Sequence, residues 1–305
     1  MNAAIRAATR IAYSKSLHVF GFERGWEGLI NDALRPLTPR SVGGIIQLGG
    51  TILHTSRSLE FRTPAGIKKA AETLSSEKID GLIVVGGNGS FEGALALSRK
   101  TDTLIIGVPA SIDNDIYGTE ETIGFDTAMN TAVNEIDKIR DTAISHERVF
   151  IVEVMGRARG FLAVAVGLTV GAEIILVPEV KVDLRKIVAR LEENNAKGKR
   201  SGIIVAAEGI GDTRKLGEQI EKEAGIEVRL SVLGYAQRGG SPTGRSRLLA
   251  NLFADKAVEL LMKADGNRIV GLNKGKIASI GLKESCEGEK LLSLDLLKLA
   301  TVLSS

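Results

Sequence analysis

An α/β fold with a largely parallel sheet is predicted by two features of this sequence. Short β-branched apolar runs alternate with longer stretches of helical periodicity, the order that βαβ units require. The runs are also near-continuously apolar, which suits strands covered on both faces. In chain order, Ala3–Ser14 reads as a helix and Leu17–Phe20 as a strand. Met1-Asn2-Ala3 enters that helix at once, whereas a doubly wound domain places a strand and a turn before its first helix. The helix Ala65–Leu74 leads to the strand Gly81–Val85, whose Leu82-Ile83-Val84-Val85 run has no polar residue. Gly86-Gly87-Asn88-Gly89-Ser90 closes that strand and opens another helical pattern. Thr103–Ile106 is the next strand, followed by the helix Ala128–Ile139 and the strand Val149–Val154. Strands at Glu173–Val177, Ser201–Ala206 and Glu227–Val232 alternate with helices at Leu184–Asn194, Thr213–Glu223 and Ser246–Met262. A boundary is expected near Ile123–Gly124, where a long helix begins and a second strand series follows.

With 305 residues the chain is long enough for two ordinary domains with packed cores. A net charge of +3 gives no argument for nucleic acid, and 4% aromatic residues are too few for a base-stacking platform. The apolar stretch from Phe161 to Ala172 stops at Glu173, short of the roughly 20 residues that span a bilayer. Asn2, Arg6 and Arg10 interrupt any signal-peptide pattern, and the single cysteine, Cys286, excludes an intrachain disulfide. A cytoplasmic protein without nucleic-acid or membrane partners is expected.

Three constellations carry chemistry. A glycine turn between strand and helix lets backbone approach a ligand, and the helix start offers free N–H donors to phosphate. Simple turn chemistry accounts for the same residues. Pro109-Ala110-Ser111-Ile112-Asp113-Asn114-Asp115 follows a strand and sets two carboxylates two residues apart. One could accept a hydroxyl proton while the other orients metal or substrate, although an Asx-rich turn has the same composition. Arg57, Arg62, Arg148, Arg157, Arg229 and Arg238 are spread over loops, and Arg157 and Arg238 stand beside glycines at element ends. Such placement suits bidentate capture of phosphate, and it also describes ordinary solvated arginines.

In order along the chain, these segments resemble the 6-phosphofructokinases. The likeness runs from Met1–Arg6 through Gly49-Gly50-Thr51, Arg57, the Gly86 turn and Pro109–Asp115 to Thr122–Ala128. It continues through Val152–Arg157, Val232-Leu233-Gly234 and Gln237-Arg238-Gly239-Gly240-Ser241-Pro242.

The resemblance implies two similar Rossmann-like domains, one holding nucleotide, with sugar phosphate at the cleft. It divides the chain into residues 1–124 plus about 237–287 for nucleotide and 125–236 plus about 288–305 for sugar phosphate. The implied reaction is phosphoryl transfer from ATP to the 1-hydroxyl of fructose 6-phosphate, with Mg²⁺. Asp113 would be the base, assisted by Ser111, with Arg57 and Arg157 steadying the transferring group. Asp115, Arg148, Met155, Gly156, Glu208, Arg229, Tyr235 and Arg238 match sugar-phosphate contacts, Arg148 one supplied across a subunit interface. Tyr235 departs from a frequent histidine.

Gly87, Asn88, Gly89, Ser90, Arg57 and Arg62, with Lys68, would hold nucleotide, and Trp26 replaces an aromatic near the adenine. Asn88 and Asp115 would face the metal, Asn88 where the family has aspartate. Pyrophosphate users carry aspartate where Gly89 stands and lysine where Ala110 stands, so ATP is the implied donor. A pyrophosphate-dependent enzyme and a non-catalytic regulatory subunit remain the alternatives. Arg6, Arg10, Arg140, Glu173 and Lys199 resemble an effector site for a nucleotide or phosphoenolpyruvate, in a family that is usually tetrameric. The family also has a strand and a Gly-Gly-Asp loop ahead of the position of Met1, which leads to the expectation of a start further upstream.

Overall fold

The structure, a computed structural model, describes residues Met1–Ser304. The chain begins with α1 (Asn2–Ser14), β1 (Val19–Phe22), α2 (Trp26–Ile30), β2 (Leu34–Leu37), α3 (Pro64–Ser76) and β3 (Gly81–Gly86). Next come α4 (Asn88–Ser98), β4 (Leu104–Ser111), β5 (Ile123–Gly124), α5 (Phe125–His146), β6 (Val149–Val154) and α6 (Phe161–Thr169). They are followed by β7 (Ile174–Leu176), α7 (Leu184–Ala196), β8 (Gly202–Ala207), α8 (Thr213–Ala224), β9 (Val228–Val232) and α9 (Gly244–Met262). The chain ends with β10 (Arg268–Asn273), β11 (Lys276–Gly281), α10 (Leu282–Glu287) and α11 (Leu294–Leu303).

These elements form two compact units. The first comprises Met1–Ser111, Asp115–Gly124 and Gly240–Lys290; the second comprises Ile112–Asn114, Phe125–Gly239 and Leu291–Ser305. The sheet of the first unit has the order β11-β10-β4-β3, with β5 on the end of β4. Its pairs are parallel except the β10–β11 hairpin. Alternate residues of β4 enter opposite cores, as the period of a strand requires: Ile105 packs with Leu74, Phe91 and Leu97, and Ile106 with Leu249 and Phe253. The second unit has an all-parallel sheet in the order β7-β8-β6-β9. Its central strand β8 splits in the same way, with Ile203 and Val205 in the core of Ala132, Ile136 and Leu162 and with Ile204 in that of Ile187 and Ile220.

The strand expected at Leu17–Phe20 lies instead at Val19–Phe22 and joins neither parallel sheet. It pairs antiparallel with β2 in a two-stranded sheet, because the α2 connection is too short for a parallel crossover. The sequence reading also had no counterpart for α2, β2, β5, α6, β10, β11, α10 and α11. Among the described residues the outer edge of β3 carries no strand partner. Beside it runs a groove of about 740 Å³ lined by Ile5, Phe20, Leu29, Leu82, Val84 and Leu261 among others.

Candidate active-site residues

In the first unit the parallel register brings the phosphate-binding candidates together. Gly86 is paired with Pro109, so the turn after β3 and the end of β4 leave the sheet side by side. A Cβ placed on Gly87 would stand 3.7 Å from the Cβ of Ser111. Asn88 opens α4 behind Gly87, and no side chain among the described residues caps that end, which leaves its first N–H groups for a ligand. Gly89 is exposed, and a Cβ there would meet nothing within 4 Å. The carbonyl of Ser111 accepts the Thr122 hydroxyl at 2.5 Å, which ties the end of β4 to β5. Arg57 and Arg62 are exposed on the segment between β2 and α3. Lys68 is committed to Glu72 at 3.5 Å, and Trp26 stacks on Phe61 with centroids 4.3 Å apart.

Asp115 belongs to the same unit and lies in the field of Lys290, a partly buried ammonium whose Nζ donates to the Glu120 carbonyl at 3.0 Å. Desolvation by burial pushes the Lys290 pKa down to about 8, against the opposing pull of Asp115, Glu120 and Glu121. The Asn88 amide and the Asp115 carboxylate suit Mg²⁺, an ion that keeps several waters and takes one or two carboxylates plus substrate phosphates. Among the described residues no group of three or more His, Cys, Asp or Glu could hold a metal ion.

In the second unit Asp113 is buried, and its Oδ2 stands 3.2 Å from Nε of Arg157, whose side chain is 66% exposed. A buried carboxylate thus faces a guanidinium that reaches outward. The Arg157 backbone N–H donates to Oε1 of Glu208 at 2.6 Å. Gly156 has φ +138°, and a Cβ there would lie 2.7 Å from the Arg159 carbonyl oxygen, so only glycine suits the turn after β6. The Met155 N–H donates at 2.8 Å to Oε1 of Gln237, a residue without a role in the sequence reading. Arg238 lies 5.2 Å from the centroid of the exposed Tyr235 ring, a cation–π distance. Arg148 Nε reaches Glu227 Oε2 at 2.6 Å, and Arg229 pairs with the other oxygen of that carboxylate. The hydrogen bond from Arg148, with the charges of both arginines, holds Glu227 below the usual carboxylate range.

The effector candidates are divided. Buried Glu173 gathers Lys199 at 2.7 Å and Arg140 at 3.9 Å, and it also accepts the Ile203 N–H. Arg6 and Arg10 stand on α1 in the first unit, where Arg10 donates to the Pro39 carbonyl.

Parallel sheets with both faces covered, an uncapped helix start after a glycine turn, and a buried aspartate held by arginine define an α/β protein built to handle phosphate groups. The chain belongs to the phosphofructokinase family, whose sequence profile matches residues 1–261. It is 48% identical over 304 residues to the ATP-dependent 6-phosphofructokinase of Oceanobacillus iheyensis, covering 100% of this chain and 95% of that protein. It is equally 48% identical to the ATP-dependent 6-phosphofructokinase of Brevibacillus brevis, with the same coverage. Among solved structures, phosphofructokinase from Saccharomyces cerevisiae superposes with TM-score 0.88 at 32% identity. That match covers 94% of this chain and 43% of the yeast chain, so this chain spans under half the yeast chain's length. A pyrophosphate-dependent phosphofructokinase from Marinobacter aquaeolei has TM-score 0.83 at 20% identity over 98% of this chain and 88% of that one, a likeness of fold. No helix among the described residues is long and apolar enough to cross a membrane.

Proposed function

We propose that this protein is an ATP-dependent 6-phosphofructokinase that converts fructose 6-phosphate to fructose 1,6-bisphosphate. The observation that carries the reading is the buried Asp113 carboxylate beside Arg157, in a chain matched from end to end by ATP-dependent relatives. Asp113 accepts the proton of the sugar 1-hydroxyl as its oxygen bonds to the γ-phosphorus. The bond from that phosphorus to the β–γ bridging oxygen breaks, and ADP leaves. Arg157 and Arg57 offer fixed positive charge to the equatorial oxygens, where a loose transition state spreads its charge. The α4 N–H groups, Arg62 and the Gly87–Ser90 turn bind the nucleotide phosphates; Ser111 lies beside that turn. Asn88 and Asp115 would hold Mg²⁺, which would supply positive charge to the phosphates. Met155, Gly156, Glu208, Arg229, Tyr235 and Arg238 bind and orient the sugar phosphate. Arg148 would serve a neighbouring subunit in a homotetramer. Arg140, Glu173 and Lys199 form the core of an effector site between subunits, for a nucleotide or phosphoenolpyruvate, to which Arg6 and Arg10 of a neighbouring copy would contribute.

Gly89 and Ala110 favour ATP over pyrophosphate. Asn88 supports one competing reading, a sugar-phosphate-binding subunit without turnover, because an amide brings no negative charge to the metal. The test is purified protein with fructose 6-phosphate, Mg²⁺ and either ATP or pyrophosphate. ADP and sugar bisphosphate should form with ATP. Turnover with pyrophosphate alone would overturn the donor, and binding without turnover would favour the regulatory subunit.

A further inference from the structure

We propose that Gln237 is a positioning residue that holds the Met155–Arg157 turn in its sugar-binding conformation; the inference rests on the reading given above. β6 ends at Val154, paired with Ala207 of β8 on one side, while its pairing with β9 stops one residue earlier at Glu153–Val232. The last backbone bond on the β9 side runs from the Leu233 N–H to the Glu153 carbonyl. The chain after β9 then leaves the sheet in a 3-10 turn, Gly234–Arg238, so no backbone carbonyl from it continues the ladder to Met155. The side chain of Gln237 takes over. Its Oε1 accepts the buried Met155 N–H at 2.8 Å, and the residue is 1% exposed. The same short turn carries Tyr235 and Arg238, and Met155 leads directly into Gly156 and Arg157. One amide therefore joins two segments whose residues are separated by 82 positions in the chain.

The orientation of that amide is set by chemistry. Reversed, it would place its NH₂ donors against the Met155 N–H donor. Nε2 is buried without a hydrogen-bond partner among the described residues, so the side chain is held through Oε1 alone. A glutamine kept for general stability would be expected to satisfy both ends. Here a buried donor is left open to keep one acceptor at the base of the turn.

The experiment compares Gln237→Met, which keeps the length and removes the acceptor, with Gln237→Glu, which keeps an oxygen in reach of Met155. In Gln237→Met the KM for fructose 6-phosphate should rise about tenfold or more, as for loss of a hydrogen bond that orders a binding turn, with the KM for ATP within about twofold. Gln237→Glu should return the fructose 6-phosphate KM to within about threefold of the parent. Substrate-free hydrogen–deuterium exchange over residues 152–160 should accelerate in the Met variant and stay near parental in the Glu variant. Equal rises in both KM values, or unchanged exchange and KM in Gln237→Met, would overturn the inference. If the Met variant does not fold, a tenfold rise in Gln237→Glu would overturn it alone. A parent that fails to phosphorylate fructose 6-phosphate would remove the kinase reading, while the exchange measurement would still decide whether Gln237 holds the turn.

Discussion

At the scale of single residues, Asp113 concentrates the chemical argument, since it is buried and stands 3.2 Å from the exposed side chain of Arg157. Asp113→Asn keeps the shape and removes the base. The expected result is a fall in kcat of at least about 10²-fold with the protein still folded. A near-parental kcat in a steady-state assay would strip Asp113 of that role. Gly156→Ala tests the turn beside it. With φ at +138° and only 2.7 Å to the Arg159 carbonyl oxygen, the added methyl should cost on the order of 1–3 kcal/mol, read as a lower urea midpoint. Asp113 and Asp115 were legible in the sequence as carboxylates after a strand, but an Asx turn has the same spelling. Arg157 could be paired with Asp113 only through resemblance, because no spacing rule joins positions so far apart in the chain. The bond from Met155 to Gln237 had no signal at all, since an amide serving a distant backbone N–H looks like any polar residue in a turn.

At the scale of elements, the proposed choice of donor can be tested at the start of α4. A side chain at Gly89 would project into open space at an uncapped helix end, where a carboxylate suits the helix dipole. Gly89→Asp is therefore expected to leave the thermal midpoint near parental while lowering kcat/KM for ATP, through repulsion of nucleotide phosphate. A large loss of stability would mean that the space is not free. Strands buried on both faces were legible as apolar runs, which is why β3, β4, β6 and β8 stand close to their expected places. The elements without expectation were short, or half exposed as in β11. The β10–β11 hairpin turns through Lys274 and Gly275, at φ +48° and +72°, and a lysine at the first position hides what an asparagine would have announced. The helix α6 was masked by its own uniformity, for a segment apolar all round shows no helical period.

At the scale of the whole molecule, two features set stability. Lys290 has a pKa of about 8 in the folded chain against an ordinary 10.5, so between those values the unfolded chain binds more protons. Stability should rise with pH across that window, and Lys290→Met should flatten the rise; urea midpoints measured at several pH values would show it. The groove beside β3 is the second. Extending the chain at Met1 by a designed apolar strand and glycine turn should raise the thermal midpoint and lower binding of a hydrophobic dye, if the groove accepts a strand. An extension that leaves both unchanged would show that it does not.

The division into units has a further consequence, for synthesis. The chain passes between units five times, at Ser111–Ile112, Asn114–Asp115, Gly124–Phe125, Gly239–Gly240 and Lys290–Leu291. The strands of the second sheet all lie within the one stretch Phe125–Gly239, whereas the first sheet waits for α9 and the β10–β11 hairpin, which follow that stretch in the chain. The second sheet can therefore form during synthesis while the first is still incomplete. The sheet whose strands emerge first is the one that closes last.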